Sequence, residues 1–171
     1  TFKNWSTIVE EFTYDKEKPY FEILVPTPDT VKYKFLLQNL MKNGNNVLIS
    51  GDTGVGKSVI IQAFLNASDP ELFENGSINF SAQTSSHNLM DVFYSKLKKK
   101  RKDLYGPPPG KKMLLFIDDI NMPQLDRFGA QPPVELLRQV IDQGGFYDLK
   151  KLFLTKVIDT QFICACAPPG G

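Results

Sequence analysis

The sequence predicts an α/β domain in which a parallel sheet is wrapped by helices. Three observations carry that expectation. Short apolar runs at residues 47–50, 77–80, 113–118 and 162–167 read as buried strands. Stretches with helical spacing and helix-end residues alternate with them, and that alternation favours a parallel sheet. A glycine-rich octapeptide, Gly51 to Ser58, joins the first apolar run to the helix after it.

The first 25 residues read as irregular, with scattered aromatics, Trp5 among them, and a charged stretch at Asp15-Lys16-Glu17-Lys18. A helix is signalled next. Thr27 can act as its N-cap, Pro28 suits the first helical position, and Asp29 complements the helix dipole. Val31, Phe35, Leu36, Leu37, Leu40 and Met41 form its apolar stripe, and Asn43-Gly44 closes it. After the strand at 47–50 and the glycine-rich stretch, a second helix runs through Val59, Ile60, Ile61, Ala63, Phe64 and Leu65. Residues 86–102 read as a helix with a basic end, Lys98-Lys99-Lys100-Arg101-Lys102, whose cations would complement the negative end of the dipole. A polyanion contact is the sharper alternative for that run. Gly106-Pro107-Pro108-Pro109-Gly110 is a loop by composition, and residues 132–142 form another helix with Gly144-Gly145 after it.

Composition narrows the function classes. The 20 Lys and Arg face 19 Asp and Glu, a net charge of +1, so nothing in the balance asks for a nucleic acid or a membrane surface. No apolar run approaches the ~18 residues that a membrane span needs, and no signal peptide opens the chain. Thr1 stands where an initiator Met would, and Gly-Gly ends the sequence, so we expect a piece of a longer protein. Cys164 and Cys166 would share one face of a strand, where neighbours bridge poorly; with His87 far away in sequence they make no zinc set. We expect core thiols in a reducing compartment.

The chemistry sits in two places. Gly51-Asp52-Thr53-Gly54-Val55-Gly56-Lys57-Ser58 fits G-x-x-x-x-G-K-[ST] in full. The glycines let the backbone turn tightly and aim its N–H groups at phosphate oxygens, and the next helix presents its positive end to the same anion. Lys57 would reach the β- and γ-phosphates, and the Ser58 hydroxyl would hold Mg²⁺. A chance match of the four fixed positions is expected on the order of once in a hundred chains of this length. About sixty residues further on, Met113-Leu114-Leu115-Phe116-Ile117-Asp118-Asp119 is an apolar strand ending in two carboxylates. It places Asp118 at the carboxyl edge of the sheet, where it would help hold Mg²⁺ through the ion's water shell. Asp119 falls where a base could polarise the attacking water.

The residues then resemble a known family. Val25-Pro26-Thr27-Pro28-Asp29-Thr30-Val31, Asn79-Phe80-Ser81-Ala82-Gln83-Thr84 and Asp118-Asp119-Ile120-Asn121-Met122-Pro123 look like the dynein heavy chain. So do Gly129-Ala130-Gln131-Pro132-Pro133, the helix from Val134 to Gln139, and the closing Cys166-Ala167-Pro168-Pro169-Gly170-Gly171. The resemblance covers nearly the whole chain and is stronger to axonemal than to cytoplasmic heavy chains. Of the six AAA+ modules in the dynein ring, the third is the most similar.

The resemblance implies a P-loop AAA+ fold whose five parallel strands are ordered 5-1-4-3-2, with this chain truncated after the fourth strand and lacking the helical lid. Residues 27–171 would be the partial large α/β subdomain, and residues 1–26 an N-terminal extension packing on it. The implied ligands are ATP or ADP with Mg²⁺. The implied partners are neighbouring AAA+ modules of the same heavy chain and, through the parent protein, microtubules and dynein light and intermediate chains. The expected location is cytoplasmic and cytoskeletal, in a ciliary or flagellar axoneme. The third module is chiefly a regulatory nucleotide site in that ring. Two departures from the general AAA+ pattern point the same way. Asp119 stands where Glu is usual, withdrawing the carboxylate by about one C–C bond, ~1.5 Å. Ala167 stands where the fourth strand often ends on a polar sensor, commonly Asn. Both argue for slow hydrolysis with binding largely retained.

Three functions compete at this point: a hydrolysing motor module, a hydrolytically silent structural module, and a small-molecule kinase. A kinase lid needs several arginines. Arg101, Arg127 and Arg138 are the arginines here, and none sits in an obvious lid.

Overall fold

The computed structural model describes residues 3–13, 23, 25–148 and 152–169. The charged stretch at Asp15–Lys18 and the terminal Gly170-Gly171 lie outside the described residues. Helix α1 (Pro28–Lys42) starts on a reciprocal cap: Thr27 Oγ1 accepts the Thr30 N–H at 3.2 Å, and Thr30 Oγ1 accepts the Thr27 N–H at 2.8 Å. Two donors that a helix start leaves orphaned are thereby satisfied. The helix closes at Asn43, and Gly44 follows at a φ of 78°.

Strand β1 (Val47–Ser50) leads through the glycine-rich loop into α2 (Lys57–Asn66). Then follow β2 (Phe73–Asn79), α3 (Ser86–Lys96), β3 (Lys98–Arg101), β4 (Leu104–Gly106), β5 (Lys112–Asp118), α4 (Pro132–Gln143), β6 (Gly145–Tyr147), β7 (Leu154–Val157) and β8 (Thr160–Cys166). The central sheet has the order β1-β8-β5-β2, all parallel. Taken as the first to fourth strands of that sheet, these reproduce the 1-4-3-2 part of the expected order.

Alternation along the inner strands builds a core on each face. Leu114, Phe116, Ile163 and Ala165 pack with Leu37 and Met41 of α1 and Ile61, Phe64 and Leu65 of α2. Their neighbours Met113, Leu115, Ile117, Phe162 and Cys164 pack with Leu89, Met90 and Phe93 of α3 and with Leu137 and Val140 of α4. With both faces covered, β5 and β8 read as continuous apolar runs rather than alternating ones.

Several expectations need correction. The helix expected over 86–102 stops at Lys96, and its basic end is strand β3, not a helix terminus. Leu97 turns the chain out of the helix with φ −100° and ψ 142°, and its side chain is buried in the α3–α4 core. A continued helix would bring like charges of this run together at three- and four-residue spacing. As the outer strand of a second sheet the run alternates between faces, and lysines are a usual guard on such an edge. Strand β2 begins at Phe73, ahead of the expected start at 77. Gly76 within it answers a packing demand, because a Cβ there would meet Leu115 Cδ1 at 2.9 Å. The apolar stripe of α1 is only partly core: Leu37 and Met41 are buried, while Phe35 is 50% exposed and Leu36 44%. Trp5 lies against Phe35, with ring centroids 5.4 Å apart.

The second sheet, of order β3-β4-β7-β6, was not anticipated. It pairs β4 with β7 in parallel and is otherwise antiparallel. Phe146 of β6 stacks on Phe93 of α3, with centroids 5.5 Å apart. Tyr94 donates its hydroxyl to Asp148 Oδ2 at 2.5 Å and lies 3.5 Å from Thr155 Oγ1, so polar as well as apolar contacts fasten this sheet to α3.

Candidate functional site

Three strands bring the chemistry to one edge of the central sheet. Ser50 at the end of β1 pairs in register with Cys166 on β8, and Ile117 of β5 with Cys164. Asp118 therefore sits one row behind Ser50. Since β8 lies between β1 and β5, the glycine-rich loop and Asp118 are two strand spacings apart, about 10 Å. A cation held between Ser58, on the first turn of α2, and Asp118 would keep water ligands, as Mg²⁺ tends to do.

The loop has the conformation that anion binding needs. Gly54 and Gly56 take φ values of 84° and 87°, in the left-handed region open to glycine, and Gly56 caps α2. Among the described residues, no backbone N–H from Asp52 through Val59 meets a protein acceptor. Lys57 folds back over this cradle, donating from Nζ to Gly51 O and Asp52 O at 2.7 Å each. An ammonium carries three N–H groups, so one remains without a partner among the described residues. Free N–H groups, a helix N-terminus and a part-committed ammonium form a set suited to phosphate. The Ser58 hydroxyl and the Asp118 carboxylate are hard oxygen donors of the type Mg²⁺ takes. The residues present therefore fit a magnesium nucleotide.

Asp118 and Asp119 differ sharply in surroundings. Asp118 is buried at 8% exposure, and its Oδ1 accepts the Asp119 N–H at 3.0 Å. Asp119 is exposed and leaves the strand at a φ of 54°, a region that Asp tolerates better than most residues. The end of β8 ties the two halves of the site together. Gly51 N–H donates to Cys166 O at 3.2 Å, and Ser50 Oγ to Ala167 O at 3.4 Å. On the other side, Ile120 N–H donates to Ala165 O at 3.1 Å, and Ala167 N–H to Asn121 Oδ1 at 3.0 Å. Asn121 was visible in the sequence only as part of a family motif. The signal that could have singled it out is an amide side chain just beyond a strand-ending carboxylate pair.

Beside the loop, a cavity of about 310 Å³ runs from the start of α1 to the phosphate cradle, lined by Thr27, Thr30, Tyr33, Ile49, Val55 and Ile60 among others. Two larger hollows, about 430 and 510 Å³, lie between α3 and α4 and between the N-terminal segment and α1–α2. Neither carries the cradle's donors, so donor chemistry rather than volume picks the site. The remaining candidates have structural surroundings. His87 is exposed, with Nε2 3.7 Å from Asp91 Oδ2. Both cysteines are free thiols; burial, with Cys166 adding to it, pushes the Cys164 thiol up to about 12. Among the described residues there is no cluster of metal-ligating side chains and no helix long and apolar enough to cross a membrane.

The family model described as "P-loop containing dynein motor region" matches residues 12–171. Dynein axonemal heavy chain 6 of Homo sapiens is 49% identical over 168 residues, covering 98% of this chain and 4% of that protein. Dynein axonemal heavy chain 12 of Mus musculus is 41% identical over 170 residues, covering 98% of this chain and 6% of that protein. The dynein-1-beta heavy chain of the flagellar inner arm I1 complex of Chlamydomonas reinhardtii is 42% identical over 168 residues, again covering 98% of this chain and 4% of that protein. The chain thus spans a small fraction of the length of the relatives it matches. Among solved structures, a RuvB mutant of Thermotoga maritima overlaps with a TM-score of 0.48 at 19% identity, covering 83% of this chain and 40% of that one. The fold assignment rests on the sheet order and not on that likeness. A matching cradle, a carboxylate-tipped third strand and a family match over nearly the full length agree: the chain belongs to the P-loop-containing dynein motor region family.

Proposed function

We propose that the chain is an ATP- and Mg²⁺-binding AAA+ module of a dynein-type microtubule motor, acting as a regulatory nucleotide site with slow hydrolysis. The observation that carries this reading is the run of unpartnered N–H groups from Asp52 to Val59 around the Lys57 ammonium, one strand removed from Asp118. In this reading Asp52 to Gly56 cradle the phosphates, Gly51 anchors the loop through its N–H to Cys166 O, and Lys57 neutralises the terminal phosphates. Ser58 and Asp118 hold Mg²⁺, which when bound supplies charge neutralisation across the phosphates. The cavity between α1 and the loop is placed to receive the rest of the nucleotide. Asp119 would act as base toward water, at a reach one methylene short of Glu.

Residues 27–171 would form the partial large subdomain of the third module, with residues 1–26 as its extension. Neighbouring modules of the same heavy chain would be its direct partners, and microtubules those of the parent protein in an axoneme. A hydrolytically silent module is the second reading, favoured by the short Asp119 side chain and by Ala167, which brings no polar side-chain atom to the end of β8.

Calorimetric titration with Mg·ATP and Mg·ADP, beside Lys57→Ala, tests binding. We expect the parent to bind both and Lys57→Ala to lose affinity by about ten- to a hundredfold, the worth of a hydrogen bond to a charged group. A folded parent that binds neither nucleotide would overturn the reading. Turnover of the intact ring with and without Asp119→Asn separates the two readings, since an unchanged rate removes Asp119 from catalysis.

A further inference from the structure

We propose that Asn121 is a nucleotide-sensing residue of this site, its side-chain NH₂ donating a hydrogen bond to the terminal phosphate of ATP. The inference rests on the nucleotide-binding reading above and adds a residue to it. Ala167 N–H donates to Asn121 Oδ1 at 3.0 Å. A backbone N–H requires an acceptor, so that bond fixes which way the amide is turned, and the NH₂ group faces away from Ala167. Among the described residues the NH₂ has no hydrogen-bond partner, and Asn121 is exposed.

Its position is set by the three elements that converge on the site. Asn121 lies three residues beyond Asp118 in the turn that leaves β5. The residue it holds, Ala167, is tied through its carbonyl to Ser50 Oγ at the start of the phosphate loop, and the adjacent Cys166 carbonyl accepts the Gly51 N–H. The Asn121 backbone is itself fixed, since Gln131 Nε2 donates to Asn121 O at 2.8 Å and to Pro123 O at 2.6 Å. Gln131 is also the N-cap residue of α4. The amide is thus a rigidly mounted neutral donor at the junction of the phosphate loop, Asp118 and the end of β8. A neutral donor there recognises the added charge of a third phosphate without competing for the cation, as a carboxylate would.

Asn121→Leu, uncharged and close in size, removes the NH₂ donor together with the brace to Ala167; Asn121→Asp keeps an oxygen for the Ala167 N–H but adds charge beside the phosphates, so the neutral variant carries the affinity test. Loss of bracing alone would weaken both nucleotides alike. We expect Mg·ATP affinity of Asn121→Leu to fall by about ten- to a hundredfold, from the lost hydrogen bond to a charged group, with Mg·ADP affinity changed far less. In the ¹⁵N-labelled parent chain, the Asn121 side-chain NH₂ resonances, assigned by their loss in Asn121→Asp, are expected to move with a non-hydrolysable Mg·ATP analogue and stay in place with Mg·ADP. Equal effects of Asn121→Leu on the two nucleotides, or NH₂ signals that do not distinguish them, would overturn the proposal and leave the nucleotide site intact. A folded parent that binds neither nucleotide overturns the proposal together with the reading beneath it.

Discussion

Replacing Asp119 with Glu returns one methylene to the side chain and advances its carboxylate by about 1.5 Å. The backbone around it is anchored, so the change falls on reach. Asp119 N–H donates to Asp118 Oδ1 at 3.0 Å, Ile120 N–H to Ala165 O at 3.1 Å, and Met122 N–H to Asp119 O at 2.9 Å. A misplacement of about 1 Å can cost a catalytic group about a hundredfold, so Asp119→Glu is expected to hydrolyse bound ATP about ten- to a hundredfold faster. The φ of 54° opposes the change structurally, because Glu lacks the short local hydrogen bonding that lets Asp occupy the left-handed region. A strain of about 1 kcal/mol would lower the melting temperature by about 2–4 °C in a domain of this size. ATP affinity should stay as it was, since the cradle lies on a different strand. Single-turnover release of radiolabelled phosphate, run beside a Mg·ATP titration, reads both quantities. Equal hydrolysis by parent and Asp119→Glu at equal ATP occupancy would refute the reasoning that carboxylate reach limits this site.

Two further predictions concern the second sheet. A Cβ at Gly145 would fall against Thr155 O and lie 2.9 Å from Lys156 Cα, both backbone atoms of the paired strand β7. Gly145→Ala should therefore cost about 1–3 kcal/mol, seen as a lower melting temperature with nucleotide affinity kept; an unchanged melt would count against the β6–β7 pairing. The Tyr94 hydroxyl is pushed up to about 12 from its ordinary 10.0, first by burial and then by its bond to Asp148. The folded state thus favours the protonated phenol, so this contribution to stability is whole below pH 10 and is lost as the pH rises toward 12. Tyr94→Phe should be less stable near neutrality, from the lost bond to Asp148, and should show a flatter melting profile between pH 10 and 12 than the parent. Parallel profiles across that window would remove Tyr94 from the account.

Much of the site was legible because its signals are local. The octapeptide Gly51 to Ser58 dictates its own turn through glycine at positive φ and a lysine on the first helical turn. Thr27, Pro28 and Asp29 mark the start of α1 within three residues, and the run from Met113 to Asp118 declares a strand buried on both faces. The Lys-rich run misled for the same reason: its composition suits an exposed helix end as well as a guarded strand edge, and the burial of Leu97 decides between them.

The sequence by itself determined the phosphate cradle, the carboxylate-tipped strand and the layered α/β class, since each is specified by neighbours within a few positions. Tertiary structure alone decided the second sheet. Its strands of three or four residues carry no periodicity of their own, and β4 and β7 pair across some fifty positions of chain. It alone also decided the partner of Asn121, because the Ala167 N–H lies just beyond β8, 46 residues away, and only the pairing of β5 with β8 brings the two together.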